Sequence, residues 1–367
     1  MSNRYIRRHI GQLLISGFDG LQIPPEMRSL AREFDLGGII LFKRNVEAPE
    51  QVAEVAYSAQ ELADEQPLWV SIDQEGGRVA RLREPFTRWP PMAVLGRAGN
   101  GHAEKLAARF AKALALELKA VGITLDFAPV LDILTNKKNP AIGDRSISDN
   151  VDVVTKLGRV MIETLQANGM AAAGKHFPGH GDVGVDSHDE MPICEAPPDR
   201  LRAVEMKPFR AAIDAKVAFI LTAHLLFPAI DEEHPATLSR KIVYGMLREE
   251  LGFEGAILTD DLDMGAIAKR YSIDEAVVRA INAGCDGVLI CGGDYDKKAV
   301  ALEGLIRAVE DETLPIKRVE DALARMQRAK ERFLLTREPH RPDPRKIRQS
   351  IGLAEHQAIA DEMFSFL

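Results

Sequence analysis

Charged and imidazole side chains stand at the ends of several short apolar runs in the sequence. They are Asp73, Arg145, Lys175, His176, His224 and Asp260. Removing such groups from water is costly unless they are paired, so we expect a set of this kind to serve binding or catalysis. If the runs are parallel strands of one barrel, their carboxyl ends share one face, and these side chains converge there.

Asp260 directly follows the apolar run Ala256–Thr259. A carboxylate at that position is held in place and partly desolvated, so it could attack an electrophilic carbon as a nucleophile. The same position also suits a structural carboxylate paired with Arg145 or Lys175, or the N-cap of the next helix. We expect Asp261 and Asp263 to cap that helix.

Lys175 and Arg145 could bind the hydroxyl groups or carboxylates of a polar ligand. The alternative for both is a buried ion-pair network with Asp73 and Asp132. The stretch Gln74–Arg78 contains two glycines, and we interpret it as a tight turn in which they supply positive φ angles.

A long segment between Phe177 and Pro198 is rich in glycine, proline and polar residues, which is typical of a functional loop. It contains His188, whose imidazole could give or take a proton near neutral pH. Asp186 lies two residues earlier, so in extended backbone both side chains point the same way and can form a hydrogen bond. Such a carboxylate would orient the ring and raise its basicity. The alternative is a solvated loop histidine.

His176 and His180 are four residues apart, as in a zinc-binding pair on a helix. The intervening Phe-Pro-Gly cannot form an uninterrupted helix, which argues against that kind of site. A metal-dependent barrel hydrolase that uses His176, His180, His224 and Asp260 remains the alternative from a different class of enzyme.

Eight apolar runs alternate with longer helical patterns. The runs are Leu13–Phe18, Gly38–Phe42, Leu68–Ile72, Thr124–Pro129, Met170–Gly174, Ala218–Thr222, Ala256–Thr259 and Gly287–Cys291. The helical patterns are Pro49–Glu65, Ala103–Val121, Asp152–Asn168, Pro198–Ala215, Ser239–Leu251, Ile273–Ala283 and Tyr295–Asp311. Runs without polar alternation are typical of parallel strands buried on both faces. Because no glycine-rich dinucleotide-binding turn follows an early strand, the pattern predicts a closed (β/α)₈ barrel of the α/β class.

Two further helical patterns, Ile316–Leu335 and Lys346–Phe366, follow the last strand region, with a Pro- and Arg-rich linker between them. This tail is too short for a second domain of ordinary size. We therefore expect residues 1–336 to form a catalytic barrel. Residues 337–367 should form a linker and a C-terminal helix packed on the barrel or on a partner.

The composition of the 367 residues is that of an ordinary globular protein, with 46% hydrophobic residues and a net charge of −8. This balance gives no electrostatic footprint for nucleic acid or an anionic membrane. Three cysteines are too few for a disulfide framework, and no apolar run is long enough to span a bilayer. We expect a soluble, cytoplasmic protein that is a monomer or a weak homo-oligomer.

Four motifs together resemble glycoside hydrolase family 3, in particular its single-domain bacterial β-N-acetylglucosaminidases. They are Ile72–Arg81, Gly143–Ser146, Gly174–Asp182 with Asp186–His188, and Thr259–Leu262. They occur in the order found in that family, and the resemblance covers residues from about 10 to 335. The third motif is the most specific to this branch.

The resemblance implies a retaining hydrolysis that removes non-reducing terminal GlcNAc and needs no metal or cofactor. Asp260 then matches the nucleophile, and His188, paired with Asp186, matches the general acid/base. The residues that match those holding the sugar hydroxyls are Asp73, Arg81, Arg145, Lys175 and His176. The implied substrates are small saccharides or muropeptides, including GlcNAc-1,6-anhydro-MurNAc fragments of cell-wall recycling.

The sequence departs from the family pattern at three positions. Ile147 stands where Phe is usual, Val183 where Thr is usual and Thr259 where Ser is usual. None of these residues carries a proposed catalytic atom. A β-GlcNAc phosphorylase of the same family is the close alternative, because a neutral histidine repels phosphate less than a carboxylate base would.

Overall fold

The computed structural model describes residues 3–63, 65–99, 101–188, 190–335 and 341–367. Eight parallel strands close into a barrel in the order β1-β2-β3-β6-β7-β8-β9-β10, which confirms the predicted (β/α)₈ fold. These strands are β1 Leu14–Ser16, β2 Gly38–Leu41, β3 Trp69–Ile72, β6 Leu125–Asp126, β7 Ala171–Phe177, β8 Phe219–Thr222, β9 Ala256–Asp261 and β10 Gly287–Ile290. An antiparallel ribbon of β4 (Gln74–Gly76) and β5 (Val79–Ala80) follows β3.

The barrel strands are buried at every residue except the last two of β9, Asp260 and Asp261, which are half-buried. This explains why the strands read as continuous apolar runs, since helices cover the outer face and side chains fill the interior. Polar side chains therefore become accessible at the carboxyl ends of the strands, where the chain leaves the barrel.

Helices surround the barrel. They are α1 Asn3–His9, α2 Pro25–Phe34, α3 Pro49–Gln60, α4 Ala93–Arg97, α5 His102–Ala120, α6 Val151–Ala167, α7 Pro198–Ala203, α8 Met206–Asp214, α9 Gly265–Ala268, α10 Ile273–Ala283, α11 Tyr295–Glu310, α12 Ile316–Phe333, α13 Pro344–Arg348 and α14 Ala354–Phe364. A helix with π-type hydrogen bonds, Lys241–Glu250, lies between β8 and β9. Among the residues that the structure describes, no helix is long and apolar enough to cross a bilayer.

Two of the predicted helices are each divided into two. The pattern Pro198–Ala215 forms α7 and α8, because Pro208 lacks an N–H and its ring would clash with the carbonyl group of Val204 in a continuous helix. The pattern Lys346–Phe366 forms α13 and α14, and between them Gly352 takes a positive φ of 58°. A left-handed residue does not fit within a right-handed helix, so the predicted single helix cannot run through this position.

A buried carboxylate joins the C-terminal residues to the barrel. Glu117, on α5, is 2% exposed. Its carboxylate oxygens accept hydrogen bonds from the N–H and hydroxyl groups of Thr87 and from the N–H of Gly352. The Nδ1 atom of His356, on α14, lies 2.9 Å from the same carboxylate. One side chain of the barrel thus holds both α14 and the turn that precedes it.

Replacing His356 by alanine is expected to destabilise the fold by about 1–3 kcal/mol, because it removes a buried hydrogen-bond partner of Glu117. Urea unfolding of the two proteins measures the difference. The matched control is His102→Ala, which removes a half-exposed pair with Glu362 and should cost less than about 1 kcal/mol. Equal losses in the two variants would contradict the special role of the buried pair.

Candidate active site

A cavity of about 250 Å³ opens at the carboxyl ends of the barrel strands. All eight residues that the sequence analysis assigned to the site line this cavity: Asp73, Arg81, Arg145, Lys175, His176, Asp186, His188 and Asp260. Of the six residues predicted to converge, His224 is not among those lining the cavity, so the structure shows the convergence for the other five. This convergence arises because β3, β7 and β9 and the loops after β6 and β7 deliver their polar groups to one mouth.

One wall of the cavity is a cluster of paired charges. The Nζ atom of Lys175 donates to Asp73 at 2.8 Å and lies 2.6 Å from a carboxylate oxygen of Glu75. Arg145 donates to both oxygens of Glu75, at 2.8 and 2.9 Å. Arg81 donates to Asp73 at 3.1 Å. The cluster thus presents fixed donors and acceptors side by side, as a ligand with several hydroxyl groups requires.

The opposite charges outweigh burial in this cluster. Burial alone would raise the pKa of Asp73 and Glu75, but Lys175 lowers both, with Arg81 acting on Asp73 and Arg145 on Glu75, so both pKa values fall below the usual range. Burial alone would lower the pKa of Lys175 and Arg145, but the carboxylates raise both. All four groups are therefore charged at neutral pH.

Glu75 is the member of the cluster that sequence reasoning missed, because Gln74–Arg78 was interpreted as a glycine turn. The residue is 3% exposed and bridges Arg145 and Lys175. A signal was present: Glu75 lies two residues after Asp73, so an extended chain places both carboxylates on the same side. Of the ion pairs expected for Lys175 and Arg145, the one between Lys175 and Asp73 is present, whereas Arg145 pairs with Glu75 and Asp132 hydrogen bonds to His176.

Replacing Glu75 by glutamine is expected to destabilise the protein by about 3–5 kcal/mol at pH 7, because it removes the carboxylate that pairs with Arg145 and one of the two that pair with Lys175. The folded pKa of Glu75 lies below its ordinary value of 4.5. Its stabilising contribution is therefore present above about pH 4.5 and is lost as the pH falls toward the folded pKa. The difference between the two proteins in urea unfolding should accordingly shrink from pH 7 to pH 3.

The control for Glu75 is Glu163→Gln, which removes an exposed pair with Arg159 on α6. It should change stability by less than about 1 kcal/mol. A Glu75→Gln protein as stable as this control would show that the cluster does not need its central carboxylate.

Asp260 lines the same cavity from the end of β9. One carboxylate oxygen accepts the N–H of Asp261 at 2.8 Å, and the other lies 4.0 Å from Nε2 of His176. Burial raises its pKa, but His176 and His224 outweigh this, so the pKa is below its ordinary value and the group is ionised at neutral pH. The helix after β9 has Met264 as its N-cap, so Asp260 is not the helix cap that was the alternative.

The expectation that Asp261 and Asp263 cap the next helix is wrong. Asp261 accepts the N–H groups of Asp263 and Cys291, each at 3.0 Å, and Asp263 accepts the N–H of Gly292 at 2.9 Å. These carboxylates therefore fasten the end of β9 to the segment after β10, which fixes the backbone that carries Asp260.

Asp132 sets the orientation of His176. One oxygen of Asp132 lies 2.6 Å from Nδ1 of His176, and its carboxylate is fully buried. Burial raises the pKa of Asp132, but His176 lowers it more, so the carboxylate is charged. Because Nδ1 is held in this way, Nε2 of His176 faces the cavity between Asp260 and Arg145, at 4.0 and 3.5 Å.

Asp186 and His188 form the hydrogen-bonded pair that their spacing predicted. Nδ1 of His188 lies 2.8 Å from Oδ1 of Asp186, and the same oxygen accepts the N–H of His188 at 3.0 Å. The His188 side chain is 70% exposed and lines the cavity. Burial raises the pKa of Asp186, but its hydrogen bonds with His188 lower the pKa more, so the net pKa is below its ordinary value. Within the part of the chain that the structure describes, the hydrogen bonds of His188 use its N–H and Nδ1 and leave Nε2 without a partner.

The loop that carries His188 rests on the segment after Asp260. The carbonyl groups of Ser187 and His188 accept the N–H groups of Ala266 and Gly265, at 3.2 and 3.1 Å. The two groups proposed for catalysis are thus carried by backbone segments that are hydrogen bonded to each other.

His176, His180, His224 and Asp260 do not form a metal-binding group. Within the described ranges, no set of three or more His, Cys, Asp or Glu side chains is arranged to hold a metal ion. Both ring nitrogens of His224 are engaged, with the hydroxyl of Thr237 at 2.8 Å and the carbonyl of Asp261 at 2.9 Å. The arrangement of these side chains does not support the metal-dependent alternative.

Comparison with known proteins gives relatives of similar sequence and structure. The β-hexosaminidase of Nitrosomonas eutropha is 42% identical over 259 residues, which span 70% of this chain and 74% of that protein. A glycoside hydrolase family 3 β-N-acetylglucosaminidase from a Paenibacillus species has a TM-score of 0.91 at 37% identity, covering 98% of this chain and 68% of that chain. NagZ of Neisseria gonorrhoeae, in complex with N-trifluoroacetyl-D-glucosamine, has a TM-score of 0.78 at 31% identity, covering 96% of this chain and 97% of that chain.

Residues 5–329 match the glycosyl hydrolase family 3 N-terminal domain. This range contains every strand of the barrel and all the residues of the cavity described above. The family match, the fold and the relatives agree with the resemblance noted in the motifs. The chain therefore belongs to glycosyl hydrolase family 3 and is a glycoside hydrolase.

Proposed function

We propose that the protein is a retaining exo-β-N-acetylglucosaminidase that removes non-reducing terminal GlcNAc from β-linked glycosides. The observation that carries this proposal is the pairing, in one cavity, of an ionised carboxylate at Asp260 with an imidazole at His188 whose Nε2 is free. The first is suited to attack and the second to proton transfer, which are the two functions that retaining hydrolysis needs.

In the first step, Oδ of Asp260 forms a bond to the anomeric carbon while the bond from that carbon to the leaving oxygen breaks. Protonated His188 gives its Nε2 proton to the leaving oxygen, so the aglycone departs as a neutral alcohol. Asp186 stabilises the imidazolium before the transfer and orients the ring throughout. The product of this step is a glycosyl ester of Asp260.

In the second step, neutral His188 removes a proton from a water molecule, whose oxygen attacks the anomeric carbon and releases Asp260 as a carboxylate. The two inversions give GlcNAc with its original β configuration. The imidazole regains its proton in this step, so the enzyme returns to its starting state without any further reactant.

The charged cluster is proposed to hold the hydroxyl groups of the terminal sugar, through Asp73, Arg81, Arg145, Lys175 and His176. Every one of these side chains is hydrogen bonded before substrate arrives. A prearranged set of donors and acceptors costs little reorganisation on binding and fixes the anomeric carbon relative to Asp260.

The relatives support GlcNAc as the sugar, since one is a β-N-acetylglucosaminidase and another binds N-trifluoroacetyl-D-glucosamine. We propose muropeptide-type fragments, GlcNAc-1,6-anhydro-MurNAc, as natural substrates.

All three cysteines are free and buried, which is in keeping with a reducing compartment. We therefore propose a cytoplasmic location. We also propose that the protein is a monomer or a weak homo-oligomer.

We propose the division into a catalytic barrel of residues 1–336 and an appendage of residues 337–367. The family match ends at residue 329, and α13 and α14 pack on α3, α4 and α5. Residues 337–340 of the linker lie outside the described residues.

The test of the proposed function is hydrolysis of 4-nitrophenyl β-GlcNAc and of GlcNAc-1,6-anhydro-MurNAc, with the matching β-glucoside and α-GlcNAc compounds as controls. The β-GlcNAc substrates should be cleaved, and proton NMR at early times should show the β anomer of GlcNAc first. An α anomer as the first product would contradict the retaining mechanism. Faster turnover in phosphate buffer, with GlcNAc-1-phosphate as product, would identify the phosphorylase instead.

A further inference from the structure

His180 is a buried histidine beside the cavity that the proposed reaction does not use. It is 3% exposed, and its ring lies edge-on to that of His176 with centroids 5.9 Å apart. Burial and the neighbouring His176 lower its pKa to about 4, so the ring is neutral at pH 7. A neutral imidazole has one donor and one acceptor nitrogen, so it can bond a hydroxyl group, which also donates and accepts.

The base of this histidine is fixed to the barrel. Its N–H donates to Asp132 at 2.6 Å, and its carbonyl accepts the side-chain amide of Asn139 at 2.7 Å. The other oxygen of Asp132 lies 2.6 Å from Nδ1 of His176, whose Nε2 faces Asp260. One buried carboxylate therefore sets the positions of both histidines, and His180 has a defined place relative to Asp260.

The ring of His180 reaches the loop at the residue between Asp186 and His188. Its Nε2 lies 3.3 Å from Oγ of Ser187. Ser187 is 3% exposed, whereas the side chain of His188 is 70% exposed. The buried serine is thus the point at which this part of the loop is anchored by a side chain, and the exposed histidine beside it has little packing of its own to hold it.

We propose that the hydrogen bond between His180 and Ser187 positions the Asp186–His188 pair over the cavity, so that His180 and Ser187 are positioning residues for the proton transfer. Ser187 is joined to Asp186 and His188 by the backbone. A change in the position of its side chain therefore moves the loop segment that carries both residues. The backbone bonds to Gly265 and Ala266 fix the height of the loop over α9. The side-chain bond joins the same part of the loop to His180, in the segment after β7. This inference rests on the proposed function.

The test compares Ser187→Ala, His180→Leu and the double variant on two substrates. On GlcNAc-1,6-anhydro-MurNAc, which needs a proton donor, each single variant should lose about tenfold in kcat/KM, the equivalent of one hydrogen bond of about 1.4 kcal/mol. The burst of dinitrophenol from 2,4-dinitrophenyl β-GlcNAc, whose leaving group needs little protonation, should change less than about twofold. The double variant should lose no more than the larger single loss, because both substitutions remove the same bond.

Ser239→Ala is the matched control, because it also removes a buried serine hydroxyl, one that donates to Asp231 away from the cavity. It should lower the thermal unfolding midpoint without changing the ratio of the rates measured on the two substrates. The proposal would be overturned if Ser187→Ala lost activity equally on both substrates or on neither. It would also be overturned if the losses of the two single variants added in the double variant. Two further proteins test the proposed function separately from this inference. If the wild type cleaves neither substrate, the proposed function is wrong. If His188→Ala loses activity only on the substrate that needs a proton donor, the proposed function holds whatever the result for Ser187→Ala.

Discussion

Replacing Asp260 by alanine is expected to lower kcat by a factor on the order of 10⁴, with the fold intact. The carboxylate is ionised and directed at the cavity, so its removal takes away the covalent step that the other groups serve. Steady-state hydrolysis of 4-nitrophenyl β-GlcNAc measures the loss, and circular dichroism checks the fold. A variant that keeps more than about a tenth of the wild-type kcat would remove Asp260 from its proposed role.

Two further measurements make this experiment specific. Azide is small enough to take the place of the missing carboxylate, and its attack should restore part of the rate and yield α-GlcNAc azide. The matched control is Asp261→Asn, because Asn keeps the oxygen that accepts the N–H groups of Asp263 and Cys291. It should cost less than about tenfold, since the amide oxygen is of the same size and keeps both hydrogen bonds.

Replacing His188 by alanine is expected to lower kcat/KM for GlcNAc-1,6-anhydro-MurNAc by about 10²-fold or more, the usual contribution of a general acid. The burst of dinitrophenol from 2,4-dinitrophenyl β-GlcNAc should fall by less than about tenfold, because that leaving group departs without a proton. Stopped-flow absorbance measures the burst. Similar losses for the two substrates would mean that His188 does not donate the proton.

Asp186 provides an independent check on the same pair. Because its carboxylate acts through His188, Asp186→Ala should cost less than His188→Ala. The Asp186→Ala/His188→Ala protein should be no slower than His188→Ala alone. Additive losses would show that the two residues act separately.

The barrel could be predicted from the sequence because each strand is buried on both faces. Val70, Ile220 and Leu258 lie within runs that have no polar alternation, and those runs are the observed strands. The breaks in two of the predicted helices were less visible. Pro208, which prevents a continuous helix, lies inside the pattern and not after it, and Gly352 acts through a φ angle that composition does not specify.

The site was predictable where a polar side chain directly follows an apolar run, as Asp260 and Lys175 do. Glu75 and His180 were not assigned because their roles depend on distant parts of the chain. Glu75 is defined by Arg145, 70 residues later, and His180 is placed by Asp132 and Ser187 together. Local spacing predicts which groups reach the cavity, but it does not predict which buried groups hold them there.

The backbone contact between the loop and α9 limits which residues can begin that helix. The first N–H groups of a helix usually have no partner within it, and proline is favoured at the first position. Here those groups belong to Gly265 and Ala266, and the carbonyl groups of His188 and Ser187 accept them. The contact depends on backbone N–H groups alone, so most residues at position 265 would keep it, whereas Ala266 is fully buried and its side chain is limited by packing. Proline is the exception, because it would remove a donor and separate the loop from the end of β9.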